Sequence, residues 1–199
     1  MAYSSFKTLH KAKTELGLVL QEKRNLFREV PELAASERLQ ETLEENVPLA
    51  LASNSEKARS ELIIAPVLLE VWRRLDGRFS FFSGIEFKID PARGLGGYCD
   101  FILSSDSERL FIAAPAFMLV EAKNESLKGG LGQCVAEMYA AQIFNERQGV
   151  EREYIYGTVT SGTNWQFLRL KGNIVEIDLS EYYLVQIDKI LGLIALTVS

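Results

Sequence analysis

The sequence is poor in the residues on which many enzymes depend. Its 199 residues include one histidine, His10, close to the start. A mechanism built on an imidazole base therefore has almost nothing to stand on. There are two cysteines, Cys99 and Cys134, in different predicted elements and with no second ligand nearby. That argues against a zinc site and fits a reduced, cytoplasmic protein. No apolar run reaches eighteen residues, so no membrane span is expected. The opening MAYSSFKTLHKAK lacks the apolar core of a signal peptide. Positive charge is also scarce: 22 Lys and Arg face 27 Asp and Glu, a net charge of −5. A protein whose main task is to coat nucleic acid would be basic. An enzyme that grips phosphates locally need not be, and a carboxylate-rich metal site would itself add negative charge. Internal repeats and low-complexity stretches are absent as well.

What is present is the ordinary composition of a globular protein, 47% hydrophobic and 25% charged, in a chain long enough for one domain with an appendage. Residues 1–50 read as a charged helical extension. Phe6, Leu9, Leu16, Leu20 and Phe27 form a rough helical stripe, Pro31 interrupts it, and a second helix over 34–45 ends at Pro48. Asn54 or Ser55 can cap a helix over 56–75, kinked or broken at Pro66, with Leu62, Leu69 and Trp72 inward. Then come a strand over 79–90, bulged at Gly84, a Gly-rich turn, and a short strand Tyr98–Leu103 in which Asp100 shares a face with Tyr98 and Ile102. A turn over 104–107 leads toward FMLVEAK at 117–123. A Gly-rich connection over 127–132 precedes a helix over 133–148. Strands over 153–161, 165–170 and 174–178 form a meander, and an apolar helix over 182–198 closes the chain. The predicted fold is a mixed α/β sheet with helices on both faces, over 51–199.

FMLVEAK carries the chemistry. It reads as a buried strand, so Leu119, Glu121 and Lys123 share one face while Val120 and Ala122 share the other. A carboxylate and an ammonium projecting together from a hydrophobic strand cost free energy to desolvate unless something uses them. If the neighbouring strand is the short one before it, Asp100 and Glu121 can converge. Two close carboxylates repel unless a cation or a proton lies between them. Hard oxygen ligands of this kind suit Mg²⁺, with Mn²⁺ as a substitute. Lys123 is placed to orient or help deprotonate an attacking water or to stabilise developing negative charge. Gln133 opens the next helix, and Glu137 lies one turn on, on the same side.

The set Gly97-Tyr98-Cys99-Asp100, Val120-Glu121-Ala122-Lys123, a subsequent helix with Gln133 and Tyr139, and a preceding helix with Glu61 in RSELIIAP resembles the PD-(D/E)XK nuclease superfamily. The GTVTSGTNWQFLRL stretch is similar to the hairpin just past the core in several members. The resemblance covers roughly two thirds of the chain, residues 54–178. Cys99 stands where the family name has proline, and Gln133 and Tyr139 lie further apart than in one common branch, so no branch is assigned. The resemblance implies a restriction-endonuclease-like core and Mg²⁺-dependent hydrolysis of phosphodiester bonds, with DNA as partner. Asp100 and Glu121 would hold the metal, with the carbonyl of Ala122 and with Glu61 as the helix carboxylate, and Lys123 would assist the attacking water. Gln133 would orient a phosphate or the lysine. Nucleases that cut both strands often pair, which makes a homodimer an expectation.

Competing readings are specific. Glu86-Phe87-Lys88 is a second E-x-K triplet, but no strand aspartate precedes it. Glu56 and Glu70 compete with Glu61 for the helix carboxylate. Trp165, Tyr154, Tyr156 and Phe167 are expected in the core rather than as a base-stacking platform, and both cysteines as small core residues. The rival function is a non-catalytic nuclease-fold module for binding or assembly, or an interaction protein working through residues 1–50.

Overall fold

The structure, a computed structural model, describes residues 2–105 and 109–198. The turn expected over 104–107 and the start of the segment after it fall partly on residues 106–108, outside the described residues. The chain forms one mixed eight-stranded sheet with helices on both faces.

The N-terminal region is helical in two pieces with a strand between them. Helix α1 (Leu9–Leu16) starts at Thr8, whose hydroxyl accepts from the Lys11 amide, and stops at Gly17 in the left-handed conformation. Strand β1 (Val19–Lys23) comes next and pairs in parallel with β7 (Ile174–Asp178) at one edge of the sheet. The continuous helical stripe expected through Leu20 is thus replaced by a strand. Tyr3, Phe6, Leu16 and Leu18 are buried in the same cluster as the sheet. Deleting residues 1–50 would remove a strand and part of this core, so truncation cannot isolate an assembly role for the segment. Helix α2 (Glu37–Ser53) is capped by the Ser36 hydroxyl and runs through Pro48 rather than ending there. Pro48 lies on the exposed side, where the carbonyl freed at Glu44 can turn to water.

The next helix is continuous but changes pitch. Helix α3 (Glu56–Arg59), capped by Ser55, passes through a π-helical turn (Ser60–Ile64) into α4 (Ala65–Arg74). Pro66 has no N–H for the carbonyl of Leu62, and the Asn46 side chain supplies that donor instead, at 3.0 Å. The altered pitch also rotates the buried face: Ile63, Ile64, Val67, Leu68 and Val71 are fully buried, while Leu62, Leu69 and Trp72 are only partly so.

Strands β2 (Ser80–Asp90) and β3 (Leu95–Ser104) form an edge hairpin, and β4 (Ala116–Ala122) lies beside β3. The register shift in the hairpin lies between Lys88 and Asp90 rather than at Gly84. Something else happens at Gly84, which has φ +60°. Phe79 and Phe81 pack on one side of the sheet and Ile85 and Phe87 on the other, although all are odd-numbered. In β3, Leu95 and Cys99 share a side that Phe101 and Leu103 do not. The two strands exchange faces together at Gly84 and Asp100. Cys99 therefore packs with Ile102, against the alternation expected from sequence.

Helix α5 (Leu127–Arg147) crosses the face shared with α1, and the expected Gly-rich connection is its first turns. Close approach explains those glycines. A Cβ on Gly130 would sit 2.6 Å from Val159 Cγ1, and one on Gly132 would collide with the Phe6 carbonyl. After α5 come β5 (Ile155–Thr160), parallel to β4, then β6 (Asn164–Lys171) and β7. The final segment holds a short strand β8 (Tyr182–Tyr183) paired with β6 before α6 (Ile187–Val198), so the terminal helix starts later than expected. The strand order is β1-β7-β6-β5-β4-β3-β2. Helices α2, α4 and α6 cover the second face, around Trp165, Phe167 and Met118.

Candidate active site

The C-terminal end of β4 is where the polar groups converge. All seven residues of this strand are buried, Glu121 included. One Glu121 oxygen accepts from the Lys123 ammonium, and the other accepts from Gln133 Nε2 at 2.9 Å. Gln133 sits on α5, and the same Nε2 donates to Glu137 at 3.1 Å. Asp100 lies one position past the Phe101–Val120 rung of β3 and β4, and its Oδ2 accepts from the Ala122 amide at 2.8 Å. The exchange of faces at Asp100 turns this carboxylate toward the end of β4. Lys123 is anchored by its own amide, which donates to the Thr160 carbonyl on β5 at 2.8 Å.

Asp100, Glu121, Lys123 and Gln133 are thus brought together, and Ala122 joins them through its backbone. Glu61 is elsewhere. It is exposed and pairs with Lys57 at 2.8 Å. The helix carboxylate that faces the cluster is Glu56, whose Oε2 is 4.0 Å from the Lys123 ammonium. At roughly 100° of rotation per residue, five residues carry a helical side chain well away from its starting direction, so only one of the two can face the sheet. Glu70 is buried and accepts from the Ser36 amide at 3.0 Å, a structural role at the start of α2. Glu86 and Lys88 form an exposed pair on β2 with no further partner at this cluster.

Two side chains that the sequence pattern does not single out brace the rim. Buried Arg59 donates to Asn124 at 3.1 Å and to the Ser161 carbonyl at 3.0 Å, and Asn124 donates to the Asn54 carbonyl at 3.1 Å. This ties the start of α3, and with it Glu56, to the ends of β4 and β5. The sequence signal for Arg59 is weak, because arginine in the first turn of a helix is usually solvated.

The electrostatics come from crowding acids in a dry place. Burial, and then the nearby Asp100 charge, push Glu121 up to about 8, with Lys123 holding it back. Burial also raises Asp100, against the Ala122 amide and Lys123. Burial works to lower Lys123, but Glu121, Glu56 and Asp100 outweigh it and keep the ammonium above its ordinary range. Burial holds Glu137 well above the usual carboxylate range, and Glu121 adds to this.

These shifts make stability depend on pH. Glu121, Asp100 and Glu137 are all raised above their unfolded values, so the folded state holds protons that the unfolded state has already lost. Their contribution is fully present below the unfolded carboxylate range and is lost as pH rises, for Glu121 between about 4.5 and about 8. The melting temperature of protein in chelator is expected to fall across pH 5–8, and the fall should shrink in Glu121→Gln. A flat or rising profile would contradict this crowding.

Among the described residues, no group of three or more His, Cys, Asp or Glu side chains is arranged to hold a metal ion, and no helix is long and apolar enough to cross a membrane. The donor set nevertheless suits a hard divalent cation: one buried carboxylate, Glu121, and one half-buried, Asp100, each raised in pKa, with Lys123 as the cation beside them. No protein-family model, no curated protein and no solved structure matches the chain.

Proposed function

We propose that this chain is a Mg²⁺-dependent nuclease with a restriction-endonuclease-like core that hydrolyses phosphodiester bonds in DNA. One observation carries the reading: Asp100 and Glu121, on adjacent strands, meet Lys123 and Gln133 at a half-buried end of the sheet. Asp100, Glu121 and the Ala122 carbonyl would hold the metal, with Glu56 rather than Glu61 as the carboxylate across the rim. When bound, Mg²⁺ supplies a divalent charge that polarises a phosphate and acidifies water. Lys123 is held as a cation, so its role is to donate to the attacking water and to the phosphoryl oxygens as charge builds there, rather than to take a proton. Gln133 fixes the second Glu121 oxygen, which keeps the carboxylate from rotating away.

The non-catalytic alternative draws support from the closed state of the cluster. The Glu121 side chain has no exposed surface, and Lys123 already occupies one of its oxygens. Metal binding separates the two readings without the need to guess a substrate. Calorimetric titration of Mg²⁺ and Mn²⁺ into the protein, with and without a short DNA duplex, should show binding that disappears in Asp100→Ala/Glu121→Ala. The wild type should then cleave DNA only when the cation is present. No site-dependent binding at millimolar metal with DNA present would leave the binding-module reading in its place.

A further inference from the structure

Glu137 is a residue the fold has no packing reason to keep. It lies in the middle of α5 and has no exposed surface. Its Oε1 accepts from Gln133, while its Oε2 is buried with no hydrogen-bond partner. A carboxyl left half-satisfied in such a place costs free energy, and a leucine or methionine of similar size would cost less. The Cys99 thiol and the Tyr3 hydroxyl lie near this carboxyl, and its hydrogen bond to Gln133 leads to the candidate site. Gln133 Nε2 donates at 3.1 Å to Glu137 and at 2.9 Å to Glu121, so both N–H bonds of one amide go to two carboxyl groups.

We propose that Glu137 is a positioning residue that clamps the Gln133 carboxamide so that its other N–H is aimed at Glu121. The clamp rests on the reading of Glu121 as a metal ligand, and it adds a buried support one helical turn behind that ligand. Spacing i to i+4 on α5 places the two side chains on the same side of the helix. Without an acceptor at position 137, the amide would have an orphan N–H in an apolar wall, and rotation to satisfy it would take the other N–H off Glu121. Glu137 is kept toward its neutral form by burial, so it serves as an acceptor without adding another full charge behind Glu121. Groups that orient a ligand from behind in this way typically change metal affinity when removed.

The test uses the full chain and two readouts. Glu137→Leu fills the volume and removes the acceptor, Glu137→Gln keeps it, and Glu137→Met serves if the leucine variant does not fold. The first readout is hydrogen exchange of the Gln133 side-chain amide by NMR with no metal added. Exchange should quicken in Glu137→Leu and return toward the wild-type rate in Glu137→Gln. The second is Mn²⁺ affinity, which should fall about 10–100-fold in Glu137→Leu and recover in Glu137→Gln. In a Gln133→Leu background, Glu137→Leu should have no further effect. A folded Glu137→Leu protein with unchanged amide exchange would overturn the proposal, as would an equal loss of affinity in the Gln133→Leu background. If the wild type binds no Mn²⁺, the metal-site reading fails by itself and amide exchange alone decides whether Glu137 holds Gln133.

Discussion

Glu121→Gln is expected to melt at a higher temperature than the wild type at pH 8 in chelator, and to lose Mg²⁺ affinity by at least about 100-fold, the upper range for losing a group that orients or supplies a ligand. The two effects share one cause. Glu121 is wholly buried beside Asp100, and its pKa is pushed up to about 8, so ionising it at neutral to basic pH is work done by the fold. Glutamine has the same shape. It can still accept from Lys123 or Gln133, and it carries no charge. For a chain of this size each 1 kcal/mol gained raises the melting temperature by about 2–4 °C. The gain should vanish at pH 5, where Glu121 is already protonated. Thermal melts at the two pH values and calorimetric titration check both halves. A lower melting temperature at pH 8 would mean that the Lys123–Glu121 pair stabilises the fold, which would leave Glu121 as a structural ion pair and weaken the case for a metal ligand.

That trade bears on the rival reading. Removing one partner of a buried pair usually destabilises, because the other is left uncompensated. Here Lys123 would keep Glu56 at 4.0 Å and the Asp100 charge nearby, so it is not abandoned. An acid cluster that is crowded beyond what its one lysine can neutralise is a poor device for stability. It makes sense if a cation completes it. A module that only binds or assembles would need Asp100 only for the Ala122 amide and Glu121 only for Lys123 and Gln133, contacts that neutral side chains could also make.

The parts of this arrangement that are legible in the sequence are those set by local pattern. FMLVEAK is apolar on both faces and ends abruptly in charge, so its strand, its burial and the shared face of Glu121 and Lys123 come directly from alternation. Asp100 can be placed near it because the sequence predicts a strand shortly before FMLVEAK, and Asp100 lies on the corresponding strand β3. What alternation cannot give is the exchange of faces at Gly84 and Asp100, since Gly84 takes φ +60° and a lone glycine does not announce which conformation it takes. Glu61 rather than Glu56 looks like the helix carboxylate because helix phase relative to the sheet is a tertiary quantity, set here by the Arg59 and Asn124 contacts and by the π turn. Strand β1 escapes a sequence reading because VLQEK is an edge strand with an open, polar side, and Leu16 and Leu20 mimic a helical stripe across it. Gly17 is the available signal. The Gly-rich start of α5 looks like a connection because the need for close approach to Lys123, Val159 and the N-terminal backbone exists only in the folded chain.

Lys123→Met offers the cleanest separation of metal binding from chemistry. Methionine keeps most of the stem that packs beneath Gly130 and removes the ammonium. In the wild type that ammonium sits on one oxygen of Glu121, so a metal must compete with it for the carboxylate. Without it, Mg²⁺ affinity should hold or rise, because the two carboxylates lose their only nearby cation among the described residues. Hydrolysis should nevertheless fall by about 10²–10³-fold, the usual cost of removing one preorganised donor aimed at developing charge. The fall should appear in kcat, since on the proposed reading Lys123 acts where charge builds in the transition state rather than where substrate first binds. Single-turnover cleavage of DNA at saturating Mg²⁺, compared with calorimetry on the same protein, reads the two effects apart. If activity and affinity dropped together, Lys123 would be holding the carboxylates in place. If activity persisted, the ammonium would be a counter-ion only, and the donor to the reacting phosphate would have to be sought elsewhere on the rim.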